Sequence, residues 1–355
     1  MARVLWIDQP GATAERVGGK VASLAELTAA GFSVPPAFGV TTEAFAEFAA
    51  AAELDGKIAA IRAGLDVDDV AAVDRASAEI AALIEAAELP AGLEAEIREA
   101  YAELERRAGE AVPVAVRSSG VNEDLEGASF AGQYDTYLWV CGAEEVLRDV
   151  RRCWAGLFNP AVLTYRPEGL EATDAAGLPG MGVGVQEMAR ARSAGVMFTL
   201  DPISGDRSKV VIESCWGLGE GVVKGDVPPD RHRVDKVTLE VLEREIVEQA
   251  EEYRFDPEGG AVALLAVAEE RRGECSLSEE EAVAIAELGK RIERHRGGPT
   301  DVEWAIDADG ELHLLQARAE TVWTSKQAGG VSGEEGGDAV GRVMATFLGA
   351  ARGAK

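Results

Sequence analysis

Cysteine and histidine are scarce in this sequence. Its 355 residues hold four of the first, Cys141, Cys153, Cys215 and Cys275, and three of the second, His232, His295 and His313. No two cysteines form a CxxC pair and the histidines lie far apart, so neither a zinc site nor a disulfide framework is indicated; buried free thiols are expected. Long apolar runs are missing as well, none approaching the roughly 20 residues of a spanning helix, so no membrane segment is expected. The opening residues, MARVLWIDQPG, lack an apolar region with a cleavage site, which makes the cytoplasm the expected location.

Positive charge is the next deficit: 35 Lys and Arg stand against 63 Asp and Glu, a net charge of −28. That balance excludes a non-specific nucleic-acid binder, which needs a basic surface to displace counterions from phosphates. A smaller polyanion can bind such a chain only where Lys, Arg, backbone N–H groups and metal concentrate locally. Three common motifs are absent too. A P-loop fails at Gly19-Lys20, because Ala14 holds the leading position and Val21 follows the lysine. GLGEGV places its third glycine at Gly221, one residue early for a dinucleotide fingerprint, and no GxSxG nucleophile elbow occurs.

What is present reads as a soluble α+β chain of two or three subdomains, with hydrophobic residues at 47% and charged ones at 28%. A short strand at Val4 to Ile7 precedes a helix with Val21, Leu24 and Leu27 on one face and a stop at Gly31. A second strand lies near Phe38 to Val40, and a helical stretch from Thr41 to about Ala108 is broken near Gly64 and Pro90. From Val112 the texture changes. VPVAVRSSG and YDTYLWV read as strands around the loop VNEDLEGASFAGQ, and a helix follows from Ala143 to Phe158. GMGVGVQEM, SAGVMFTL and SKVVIESCWGLGEGVV are further strands. A hairpin from Arg231 to Glu243, an acidic connector, a helix from Ser278 to Arg296 and the strands TDVEWAID and ELHLLQAR complete the order. The divisions expected are 1–110 for an amino-terminal lobe with its helical subdomain, 111–325 for the strand-rich lobes, and 326–355 for a mobile glycine-rich tail.

Several residues stand where chemistry is feasible. Lys20 sits where a glycine pair meets a helix start, placed either to meet a phosphate or simply to be solvated. Arg117 emerges from an apolar strand beside Ser118 and Ser119, as an anion ligand or as half of a structural ion pair. GASFAGQ supplies small residues that let backbone approach a ligand. Gln186, Glu187 and Met188 end a glycine-spaced strand, fit to meet an adenine edge or to be an ordinary strand end. Alternation in DVEW and LLQAR lets Glu303 share a sheet face with Gln316 and Arg318. That set offers oxygen ligands for magnesium and a guanidinium, or a cross-strand pair of Glu303 with Arg318.

Together the segments GGKVASLAELTAAGFSVPPAFGVT, VAVRSSGVNEDLEGASFAGQYDTY, RCWAGLFNPAVLTYR, VGVQEMARARSAGVMFTLDPISG, VVIESCWGLGEGVVKGDVPPD and DVEWAIDADGELHLLQARAET closely resemble the amino-terminal nucleotide-binding domain of the phosphoenolpyruvate synthase and pyruvate phosphate dikinase family. The resemblance runs from Gly18 to Thr321. It implies an ATP-grasp-like fold with a helical subdomain inserted near the amino terminus, and ATP and Mg²⁺ as ligands. It places Lys20, Arg117 and Arg318 on the phosphates, Gly132 and Thr136 at the glycine-rich loop, Gln186, Glu187 and Met188 near adenine, and Glu303 and Gln316 on the metal. Asp201 and Glu213 lie in matching segments without an assigned role. Val21 and Ala319 depart from the family, which has asparagine or glycine and proline there.

The family passes phosphate through a histidine on a swivelling domain. No such domain is expected after Thr321, and His232, His295 and His313 lack the carrier context. The resemblance therefore implies a dikinase-type phosphotransferase that works with a second subunit bearing the phosphohistidine domain and the substrate domain. In extent the chain is similar to the small ATP-binding subunit of phenylphosphate synthase, which implies phenol or a similar hydroxyl acceptor and release of AMP and phosphate. The alternatives are a separately encoded first domain of a phosphoenolpyruvate synthase or of a rifampicin-type phosphotransferase, and a non-catalytic ATP-sensing scaffold.

Overall fold

The computed structural model describes residues 2–109, 111–121, 135–164, 180–321 and 323. Contacts divide the chain into two compact units, Met1–Gly31 with Pro36–Met188, and Phe32–Pro35 with Ala189 onward. The sequence boundary at residue 110 falls inside the first unit, because its helices cover the same sheet that the following strands complete.

Unit 1 comprises β1 (Val4–Trp6), α1 (Ala14–Ala29), β2 (Ala37–Val40), α2 (Thr42–Ala51), α3 (Leu54–Arg62), α4 (Val70–Ala86), α5 (Ala91–Ala108), β3 (Val114–Gly120), β4 (Thr136–Val140), α6 (Ala143–Ala155), α7 (Pro160–Thr164) and β5 (Met181–Glu187). The strands form one sheet in the order β1-β2-β5-β3-β4, antiparallel throughout. Strand alternation gives this sheet two unlike faces. Phe38, Val40, Val114, Val116, Val183 and Val185 turn to a core completed by Phe45, Phe48, Ile80, Ile84, Leu93, Ile97 and Trp154. Phe48 stacks on Trp154 at 5.1 Å between ring centroids. The helices supply these residues at spacings of three and four, Ile80 with Ile84 on α4 and Leu93 with Ile97 on α5, so each presents one apolar stripe. Their starts are set locally: Thr41 caps α2 through Ala44 N–H and Asp69 caps α4 through Ala72 N–H, while Pro90 precedes α5. Tyr101 ties three elements together, donating to Val112 O at 2.9 Å and accepting from Gly142 N–H at 2.8 Å.

The opposite face of the same sheet carries Gly39, Gly182 and Gly184, and α1 lies against it. A Cβ at Gly182 would come within 2.4 Å of Val17 O, and one at Gly39 within 2.9 Å of Val17 Cγ1. The glycine spacing in MGVGV thus marks the strand surface on which a helix backbone comes close.

Unit 2 comprises β6 (Ala191–Phe198), β7 (Lys209–Trp216), α8 (Glu220–Lys224), β8 (Asp230–Asp235), β9 (Val241–Glu245), β10 (Glu251–Asp256), β11 (Ala261–Ala266), α9 (Glu279–Arg296), β12 (Thr300–Asp307) and β13 (Leu312–Ala319). A six-stranded antiparallel sheet runs β13-β12-β6-β7-β8-β9. Ser278 opens α9 with a reciprocal capping box to Glu281, and Ile285, Ala286, Gly289 and Ile292 bury against one sheet face. That face is fixed by Gly289, whose added Cβ would meet Met197 Sδ at 2.5 Å. The stretch read as an acidic connector holds a hairpin instead, β10 paired with β11 from Glu251↔Ala266 to Asp256↔Ala261. Its charged residues mask the alternation of Tyr253 and Phe255, and Gly260, at φ 67°, makes the turn.

The expected α+β class, with a helical subdomain at Thr42–Ala108, is what the structure has. Among the described residues no helix is long and apolar enough to cross a membrane, and no group of three or more His, Cys, Asp or Glu could hold a metal ion on its own.

Candidate nucleotide site

In unit 1 Arg117, Thr136 and Gln186 share the glycine face, against which α1 brings Lys20. The helix α1 breaks at Gly18, which adopts φ 76°, ψ 168°, and Lys20 stands in the first turn after the break. Gly18 is required there: a Cβ would lie 1.8 Å from Ser119 O. The close approach is locked by two bonds, Val21 N–H to Ser119 Oγ at 3.2 Å and Lys20 Nζ to Ser118 O at 3.3 Å. On the same face, strand register places Arg117 opposite Gly184 and Gln186 opposite Ala115, so Arg117 and Gln186 are diagonal neighbours; Arg117 Nη1 donates to Gln186 Oε1 at 3.5 Å. Thr136, exposed, lies opposite Arg117 on the other side.

Gln186 is buried, and its Nε2 has no partner among the described residues. An amide left so costs about 1–3 kcal/mol unless a ligand or water accepts from it. Glu187 and Met188 are half-buried at the strand end. Their backbone N–H groups donate to Pro36 O and Pro113 O, each at 2.9 Å, so an adenine contact through either N–H would require that bond to open. Gly132 and the rest of GASFAGQ lie outside the described residues.

In unit 2 the candidates lie on the sheet face away from α9. The register of β12 on β13 pairs Glu303 with Gln316 and Asp301 with Arg318. Glu303 and Gln316 therefore stand side by side as half-buried oxygen donors. Across the same two strands Arg318 Nε lies 3.5 Å from Asp301 Oδ2. Burial pushes the Asp301 carboxyl up to about 6, against the attraction of Arg318. Asp301 is a residue the sequence reading passed over. Its signal was present, since alternation in DVEW puts it on the face of Glu303.

The same face continues across the sheet through two arginines of β8. Arg231 donates to Glu213 Oε1 from Nε at 3.2 Å and from Nη2 at 2.7 Å. Arg233 Nη2 lies 3.0 Å from Asp201 Oδ2, while Asp201 Oδ1 accepts from Ile203 and Ser204 N–H. Glu213 and Asp201, which entered without roles, are thus each engaged by a guanidinium.

The donor set fits Mg-ATP in kind. In unit 1 the buried Gln186 amide has an unmet donor beside the Arg117 guanidinium, and in unit 2 Glu303 and Gln316 are adjacent hard oxygens of the kind magnesium takes from protein.

With this geometry in view, the comparisons decide the family. Residues 14–335 match the family model described as pyruvate phosphate dikinase, AMP/ATP-binding domain, and the chain belongs to that family. Among relatives, a probable phosphoenolpyruvate synthase of Methanocaldococcus jannaschii is 43% identical over 324 residues, covering 90% of this chain and 27% of its own. A phosphoenolpyruvate synthase of Pseudomonas aeruginosa is 41% identical over 324 residues, covering 87% of this chain and 40% of its own. The chain thus spans well under half the length of these relatives. Among solved structures, the ATP-grasp ligase PsnB complexed with minimal precursor, Mg and ADP is 11% identical, covering 92% of this chain and 57% of its own, at a TM-score of 0.26. A likeness at that score carries no argument.

Proposed function

We propose that this chain is the ATP-binding component of a dikinase-type phosphotransferase, built on an ATP-grasp-like scaffold, and that it delivers phosphoryl or pyrophosphoryl from Mg-ATP to a histidine on a partner. The family match along residues 14–335 carries the reading, and the donor set is its local support. When bound, Mg-ATP supplies the transferable group, with the metal offsetting charge on its oxygens. Lys20, Arg117 and Arg318 act as fixed positive charges for the phosphates, which costs no reorganisation at the moment of reaction. Glu303 and Gln316 would hold the metal, Gly132 and Thr136 would contact the phosphates, and Gln186, Glu187 and Met188 would meet the base.

The partner is proposed to be a second subunit with a phosphohistidine swivelling domain and a substrate domain, acting in the cytoplasm on phenol or a similar hydroxyl compound and leaving a phosphate ester, AMP and phosphate. A second reading, the first domain of a phosphoenolpyruvate synthase, is favoured by the names and greater lengths of the relatives. The two differ in acceptor and share the nucleotide site.

The metal assignment is tested by Glu303→Gln, which removes the carboxylate and keeps the shape. It is expected to weaken Mg-ATP binding by at least about tenfold and to leave metal-free ATP within about twofold, read by equilibrium dialysis with and without EDTA. Equal losses in both conditions would remove Glu303 from the metal.

A further inference from the structure

Strand β4 pairs with β3 opposite Arg117. β3 and β4 pair at Val114↔Val140, Val116↔Tyr137 and Arg117↔Thr136, with the register broken between Val114 and Val116. β4 has two residues between its paired positions where β3 has one, so it carries a bulge. Within that bulge Trp139 has φ 58°, a left-handed conformation rare for a bulky side chain. Beyond it, among the described residues, Tyr137 and Thr136 are paired, and Ser118 N–H reaches Asp135 O at 3.5 Å, the edge of hydrogen-bond range.

A side-chain clamp from α6 meets β4 there. The Arg152 guanidinium carbon stands 4.1 Å from the Tyr137 ring centroid. Arg152 Nη1 donates to Asp149 Oδ1 at 3.0 Å, and Arg148 Nε donates to the same oxygen at 3.0 Å. Asp149 is buried, so it is a fixed anchor and not a solvated charge. At the other end Tyr137 donates its hydroxyl to Asp135 Oδ2 at 3.3 Å. Burial, and then the Asp135 charge, hold the phenol well above its usual range, which keeps it a donor. Asp149, Arg152, Tyr137 and Asp135 thus run in sequence from a buried point of α6 to the residue beside Thr136.

We infer that Arg152 and Tyr137 are positioning residues that hold Thr136 opposite Arg117 and thereby set ATP affinity without touching the nucleotide. The inference rests on the ATP-binding reading above. Arg152 supplies the attachment to α6 and the Tyr137 ring is the surface it grips, a contact that a phenyl ring preserves and an aliphatic side chain does not.

The test measures Mg-ATP dissociation constants of the full chain by calorimetry. Arg152→Gln and Tyr137→Leu are each expected to weaken binding about tenfold, and Tyr137→Phe by less than about threefold. In a Thr136→Ala background, Arg152→Gln is expected to add less than about twofold, because the clamp acts through Thr136; a merely structural role would add its full factor in both backgrounds. If Arg152→Gln fails to fold, Arg152→Lys, which keeps a cation over the ring, is read in its place with an expected loss of about threefold. Affinities within about twofold of the unaltered chain for Tyr137→Leu and the Arg152 variant, or full additivity with Thr136→Ala, overturn the inference. An unaltered chain that binds no ATP removes the ATP-binding reading and the inference together, whereas normal binding with indifferent variants removes the inference alone.

Discussion

With Arg117 replaced by alanine, phosphoryl transfer from ATP to the partner is expected to fall about 10²- to 10³-fold while the chain stays folded. Two features make the expectation large. Arg117 is held by the sheet register on the glycine face, one diagonal step from Gln186, so its charge is in place before the nucleotide arrives. Second, a chain of net charge −28 has few cations to substitute for it. Arg117→Lys is expected to recover only part of the loss, since an ammonium lacks the planar fork of donors. Initial rates of partner phosphorylation, with circular dichroism as the control for folding, check this; a rate unchanged by Arg117→Ala would remove the arginine from the site.

Gly18→Ala is expected to damage the fold itself. The new Cβ would meet a backbone carbonyl at 1.8 Å, in a φ of 76° with ψ near 168° that is almost confined to glycine. Neither Ser119 nor the helix after the break can yield without losing the bonds that hold Lys20 and Val21. The expected cost is more than about 4 kcal/mol, seen as loss of soluble protein or a large fall in melting temperature. Gly31→Ala is the matched control: it also sits at positive φ, 79°, but its Cβ would meet nothing within 4 Å, so it should cost about 1 kcal/mol. Equal effects at the two positions would mean that backbone conformation alone, and not the approach of α1 to β3, sets the price.

How far the sequence disclosed these features depended on whether their cause was local. Alternation in DVEW and LLQAR put Glu303, Gln316 and Arg318 on one face of β12 and β13, because period-two patterning is a property of each strand alone. The capped helix α9 and the breaks at Gly64 and Pro90 were legible for the same reason. What stayed hidden depended on partners distant in the chain. Asp301 stands opposite Arg318 and lies 3.5 Å from it because the register of β13 on β12 decides it. The glycines of β2 and β5 read as spacers until α1 is seen against them, and the acidic residues of β10 concealed a hairpin. The bulge at Trp139 has no signature in YDTYLWV, since it arises from how β4 meets β3.

The central proposal, that this chain activates ATP for transfer to a histidine of a partner, is tested most directly with labelled nucleotide. The chain is incubated with Mg²⁺, β- or γ-labelled ATP and candidate partners copurified from the native source, and acid-labile, base-stable label is followed on each polypeptide. The account predicts label on a histidine of the partner, dependent on this chain and accompanied by AMP. ATP binding with no label on any partner histidine would contradict it.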